Sequence, residues 1–259
     1  MKVACLQLDI CFGNIEANVQ YVEKELQHAM EERPDVVLLP ELWTTAYDLE
    51  RLDVLADEDG ISSRRLLSRW AQSFEVNIIG GSIAKKVGDS VTNTMYVFNK
   101  KGELVSEYSK VHLFQLMNEQ KFFSAGMGKG SFTLDSIPCA GLICYDIRFP
   151  EWIRTHTAEG AEVLFIVAEW PLSRLAHWRT LLQARAIENQ CFVVACNRSG
   201  SDPSTTYAGH SMVIDPWGDI LAEAGEEAEN LIVTFDVAKI TRVRNKIPVF
   251  LDRRPELYK

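Results

Sequence analysis

Polar and apolar residues alternate over positions 3–9, which predicts a strand. The next apolar residues, Ile15, Val19, Val22, Leu26 and Met30, are spaced by four, three, four and four, the signature of one helical face, with Asn14 placed as its N-cap. DVVLLP, residues 35–40, reads as a buried strand. Leu66, Leu67, Trp70 and Phe74 mark a second helix, and VNIIGGSI, residues 76–83, a further strand. Two hairpins interrupt this rhythm. NTMYVFNKKGELVSEY turns at 99–102 and HSMVIDPWGDILAE at 215–218, each with a glycine closing a four-residue turn. From residue 140 the alternation resumes: a strand to Ile143, a helix over 150–159, a strand over 163–167, a long helix over 173–189 and a strand over 192–196. Strands next to helices are almost continuously apolar, which predicts burial on both faces, whereas the hairpin strands alternate. An α/β chain of two packed sheets with helices outside satisfies both patterns. No linker, repeat or low-complexity tract divides residues 1–259, so one domain is expected.

Composition narrows the function classes. With 259 residues and 47% hydrophobic content the chain can bury a large core. A net charge of −9 argues against nucleic acid as a partner, because phosphate neutralisation needs clustered cations. No apolar run approaches the ~18 residues of a membrane span. The start, MKVACLQLDI, lacks the apolar core of an export signal. The six cysteines (5, 11, 139, 144, 191 and 196) therefore read as reduced thiols of a cytoplasmic protein. Neither C-x-x-C pairs nor Cys/His groups at zinc spacing occur, so no metal site is expected.

The chemistry-bearing segment is GLICYDIRFPEWIR, residues 141–154. Cys144 ends an apolar run and precedes a turn into a helix opened by Pro150, which would present the thiol outward near free backbone N–H groups. A cysteine nucleophile needs a base or a cation beside it. None of the five histidines is singled out by local pattern; His112 draws attention only by lying near Lys110. Glu41 stands at the carboxyl end of a predicted buried strand, where open α/β sheets place their ligands, and burial among Leu39, Leu42 and Trp43 would suit it to proton transfer. Lys110 follows LVSEYS and could steady that carboxylate and a reacting oxygen. A buried structural thiol, a helix-capping glutamate and a solvated lysine are the ordinary alternatives, and only the three together point to catalysis. Arg148 is expected to pair with Asp146 and shape the turn.

With LLPELW, YSKVHLF and GLICYDIRFPEWIR in that order, the chain resembles the carbon-nitrogen hydrolase, or nitrilase, superfamily. The resemblance runs nearly end to end, through VACLQLD, NTMYVFNKKGE, ARAIENQCFVVACNRSG and GHSMVIDPWGDIL. It implies an α-β-β-α sandwich of two mixed sheets with helices on the outer faces. It also implies a Glu-Lys-Cys triad at Glu41, Lys110 and Cys144, supported by Glu119. Family members commonly pair into homodimers through the outer helices, and the segment 240–259, ending RRPELYK, resembles the tail that crosses toward a partner subunit. CYDIRFPE is similar to the amidase branch, and AEWPLSRLAHWRTLLQARAIENQ to omega-amidases acting on 2-oxoglutaramate. The implied activity is hydrolysis of the terminal amide of a small 2-oxo acid through a thioester, with no metal or organic cofactor. In that reading the Tyr145 backbone N–H and Lys110 hold the oxyanion, Arg174 takes the substrate carboxylate and Trp170 walls the pocket. The competing expectations are another amidase of the superfamily, a thiol redox protein and a non-catalytic interaction module. PELWTTAYD departs from the aromatic-Asn-Ser-Pro-Tyr run of many relatives, which leaves substrate identity less secure than reaction type.

Overall fold

The computed structural model describes residues 1–258. The first half of the chain supplies β1 (Lys2–Gln7), α1 (Ile15–Met30), β2 (Val36–Leu38), α2 (Leu52–Leu55), β3 (Asp57–Glu58), α3 (Ile61–Phe74), β4 (Asn77–Ile79), β5 (Ile83–Val87), β6 (Ser90–Phe98) and β7 (Leu104–Ser109). The second half supplies β8 (Ser131–Leu134), β9 (Ile137–Ile143), α4 (Pro150–Ala158), β10 (Val163–Ala168), α5 (Leu175–Asn189), β11 (Phe192–Asn197), β12 (Met212–Ile214), β13 (Ile220–Glu223), β14 (Glu229–Thr234) and α6 (Lys239–Lys246). One sheet has the order β14-β1-β2-β4-β6-β5-β3, with β7 also on β6; the other runs β13-β12-β11-β10-β9-β8. Both are mixed: β1-β2-β4 and β9-β10-β11 are parallel, and the hairpins add antiparallel strands at their flanks.

Side-chain alternation decides which face meets which layer. Val3 and Cys5 of β1 and Val36 and Leu38 of β2 pack into the same core as Leu142, Phe165 and Val194 of the second sheet. Ala4, Leu6 and Val37 pack instead with Val22 and Leu26 of α1 and Leu67 and Trp70 of α3. Trp178, Leu182 and Ala186 of α5 and Ile153 of α4 cover the second sheet. The result is the expected α-β-β-α sandwich, and strands buried on both faces are apolar throughout for that reason. Asn14 caps α1 as expected, accepting from the Ala17 N–H at 3.1 Å. Both hairpins turn where their glycines predict: Gly102 N–H donates to Asn99 O at 2.8 Å, and Gly218 N–H to Asp215 O at 2.9 Å.

The expected strand over 76–83 is instead two, β4 and β5, broken at Gly80-Gly81. Gly81 adopts φ +57°, and a Cβ there would stand 2.1 Å from the Pro40 carbonyl oxygen. The break lets this backbone pass close to the segment that carries Glu41. Among the described residues no helix is long and apolar enough to cross a membrane.

Candidate active site

Four chain segments deliver the candidate side chains to one place. Glu41 follows β2, Lys110 follows β7, Cys144 follows β9, and Glu119 sits in the turn-rich loop after Lys110. Glu41, Lys110 and Glu119 are completely buried, and Cys144 is 6% exposed. Lys110 Nζ donates to Glu41 Oε1 at 2.8 Å and to Glu119 Oε1 at 2.7 Å. Glu41 Oε1 also accepts from Asn93 Nδ2 at 2.8 Å and from the Tyr47 hydroxyl at 3.3 Å, while Oε2 accepts the Glu169 backbone N–H at 2.9 Å. Glu119 Oε2 accepts the Phe114 N–H at 2.7 Å, and the Tyr47 hydroxyl makes a short hydrogen bond to Glu119 Oε1. Charges this deeply buried persist because each is paired and hydrogen-bonded.

Cys144 opens a tight turn, residues 144–148, and adopts φ +44°, a left-handed conformation unusual for a side chain with a Cβ. Asp146, fully buried, holds that turn. Its Oδ2 accepts the Ile143 N–H at 3.0 Å and the Tyr108 hydroxyl at 2.7 Å, and its Oδ1 meets His112 Nδ1 at 2.7 Å. His112 in turn stacks on Phe149 with centroids 3.7 Å apart. Thus His112 belongs to the support of the turn. The expected Arg148–Asp146 pair does not form. Asp146 is fully engaged by groups from β7, the loop after it and β9, and Arg148 lies instead over the Trp170 ring at 4.8 Å, with Nη2 3.3 Å from His177 Nδ1.

The electrostatics define the resting protonation. Burial, then the charge of Glu41, pushes the Cys144 thiol well above its ordinary pKa, with Lys110 pulling the other way. Burial works against the Lys110 ammonium, but Glu119, Glu41 and Cys144 together outweigh it and raise its pKa well above the usual lysine value. Burial, with the two carboxylates, likewise raises Tyr47 and keeps it a phenol that donates. The arrangement is a neutral thiol beside a hydrogen-bonded carboxylate and a permanent cation. It is suited to proton removal at the moment of attack and to holding negative charge on a carbonyl oxygen.

Cys144 lines a narrow pocket together with Tyr47, Phe114, Tyr145, Glu169, Trp170 and the two arginines Arg148 and Arg174. Tyr145, Trp170 and Arg174 thus line the same pocket as Cys144. Arg174 lies over the Phe114 ring at 5.6 Å, and Trp170 Nε1 donates to Arg174 O at 2.9 Å. Sequence reasoning missed Tyr47, Asn93 and Glu169. Tyr47 lies within PELWTTAYD, the segment whose departure from the family pattern was its only signal.

Residues 2–245 match the carbon-nitrogen hydrolase family model. The chain is 53% identical to a protein of Bacillus subtilis (strain 168) named 2-oxoglutaramate amidase, over 99% of this chain and 98% of that one. It is 35% identical to a 2-oxoglutaramate amidase of Paenarthrobacter nicotinovorans, over 87% of this chain and 80% of the relative. Among solved structures, a CN-hydrolase superfamily protein from Xanthomonas campestris with an arsenic adduct in its active site superposes with a TM-score of 0.92. The two are 30% identical, with 98% of this chain and 97% of that one covered.

Proposed function

The chain belongs to the carbon-nitrogen hydrolase family, whose members named above include amidases, and from that premise we propose that it is a cysteine-dependent omega-amidase converting 2-oxoglutaramate to 2-oxoglutarate and ammonia. The observation that carries the substrate class is the cavity wall. Arg148 and Arg174 both line it, and among the described residues neither is ion-paired with a protein carboxylate. A guanidinium in a small cavity calls for an anion, and a carboxylate takes two parallel hydrogen bonds from it. The substrate therefore carries a carboxylate at one end and its amide at the other, where Cys144 stands. Trp170 forms the wall between them.

In this reading Glu41 accepts the Cys144 proton as sulfur attacks the amide carbon, and Lys110 Nζ with the Tyr145 backbone N–H holds the oxyanion. The C–N bond then breaks, the nitrogen takes the proton from Glu41, and ammonia leaves a thioester on Cys144. Water gives a proton to Glu41 and attacks the thioester; the acid departs and the thiolate is reprotonated. Glu119 and Tyr47 keep Lys110 and Glu41 in register. The chain works as one domain in the cytoplasm, where its six cysteines stay reduced.

It also pairs with a second copy. Ile187 of α5, packed against the 215–218 turn, and Trp217 of that turn are exposed apolar side chains, with Lys246 of α6 over the Trp217 ring at 5.3 Å. Sedimentation at micromolar concentration should give a dimer, and Ile187→Asp a monomer; a monomeric wild type would refute the pairing. The substrate assignment is tested by ammonia release from 2-oxoglutaramate, from deaminated glutathione and from carbamoyl compounds. The first should exceed the others in kcat/KM by at least tenfold, and preference for either of the others would overturn the assignment.

A further inference from the structure

The cavity wall holds one carboxyl group that the mechanism above leaves unused. Glu169 is 1% exposed, follows β10 and lines the cavity with Cys144. Its Oε2 accepts from Arg198 Nη1 at 3.1 Å, but its Oε1 has no hydrogen-bond partner. The other two carboxylates at the site have donors on every oxygen. Tyr207, whose ring lies beneath the Arg198 guanidinium at 4.1 Å, donates its hydroxyl hydrogen to Asp202 Oδ2 at 2.6 Å, and the same hydroxyl lies near enough to Glu169 to oppose the rise of its pKa, while Oε1 stays without a hydrogen bond of normal geometry. Asn93 Oδ1 is the other orphaned side-chain oxygen close to Glu41, and Asn93 does not line the cavity. A buried polar atom left without a partner is destabilising, so the missing partner is to be sought in what the cavity binds.

The position of Glu169 says which part of the substrate that is. Its backbone N–H is bonded to the base Glu41, at the reacting end. The next residue, Trp170, carries Arg148 over its ring and donates to Arg174 O, at the carboxylate end. Glu169 is thus linked to the base on one side and, through Trp170, to the arginines on the other, and a 2-oxo acid amide lying between them carries its oxo group next to the carboxylate. That carbonyl offers an acceptor and no donor. We propose that Glu169 contacts the substrate, its Oε1 carrying a proton and donating a hydrogen bond to the 2-oxo oxygen, so that it selects oxo-acid amides over amides with a methylene at that carbon. This rests on the function proposed above.

Its surroundings favour the neutral acid. Burial pushes the Glu169 carboxyl up to about 8; Arg198 opposes the shift, and the nearby Glu41 carboxylate adds to it. The groups facing Glu169 are Arg198 and Tyr207 on one side, Glu41 on another, and Cys144, Tyr47, Arg148 and Arg174 across the cavity. Because Arg198 fixes an acceptor oxygen on its own side, Glu169→Gln turns its NH2 toward the cavity and keeps a donor there, but one that cannot ionise.

The test is the ratio of kcat/KM for 2-oxoglutaramate over glutaramate, its 2-methylene analogue, from pH 6 to pH 9.5. Ionisation of groups that act on the amide itself affects both substrates and cancels in the ratio. In the wild type the ratio should fall at least tenfold as Glu169 ionises, and in Glu169→Gln it should stay flat within threefold. A flat wild-type ratio overturns the inference whether or not the glutamine variant folds, and so does an equal fall in the variant. Wild type that hydrolyses 2-oxoglutaramate with a flat ratio refutes Glu169 alone; wild type that does not hydrolyse it refutes the function as well.

Discussion

One ammonium and two carboxylates are linked through a single phenol at this site. Tyr47 bridges Glu41 and Glu119, which share the Lys110 ammonium, so its hydroxyl sets the angle at which Glu41 meets the thiol. Hydrogen bonds to charged groups contribute about 1.5–3 kcal/mol. Tyr47→Phe should accordingly lower kcat by roughly ten- to a hundredfold with KM changed less than threefold, as steady-state ammonia assays would show; unchanged kcat would remove Tyr47 from the account. At this scale the sequence exposes Glu41, Lys110 and Cys144 because each ends a recognisable strand inside a motif. It hides Glu169, because that residue's partners, Arg198 and the base, come from other strand ends. Arg148 misleads for a related reason: Asp146 is two residues away in sequence, yet its oxygens are already taken by β7, β9 and His112.

At the scale of elements, strand ends place the chemistry and close backbone crossings hold them there. Gly81 makes one of these, seated against the Pro40 carbonyl one residue before Glu41. Gly81→Ala should destabilise the fold by about 2 kcal/mol or more, since it adds both a left-handed strain and a clash with backbone. Urea denaturation would measure the loss, and a midpoint equal to wild type would contradict the close approach. The two hairpins are legible because turn glycines and alternation are local signals. The edge strands β3, β8 and β14 are not, because they are short or are defined by distant pairing: β14 joins β1 from the opposite end of the chain.

The whole molecule carries the cost of burying ionisable groups between two sheets. Glu169 is raised from the ordinary carboxyl value to about 8. Its folded form therefore holds a proton that the unfolded chain has lost, and this contribution to stability is complete below about pH 4.5 and disappears as pH rises through 8. The melting temperature of wild type should fall more steeply between pH 5 and pH 9 than that of Glu169→Gln; parallel curves would place the carboxyl in an unshifted state. The sandwich itself is evident from apolar runs beside helices and alternating hairpins. Which residues meet in the cleft between the sheets is not, because packing of the layers, not sequence proximity, decides it. The central claim is that these layers set Glu41 and Lys110 around one nucleophilic sulfur, and acid-quench mass spectrometry during turnover of 2-oxoglutaramate tests it most directly. The account predicts an acyl adduct on the peptide containing Cys144 and loss of ammonia release in Cys144→Ala. Turnover with that peptide unmodified, or undiminished in the alanine variant, would contradict it.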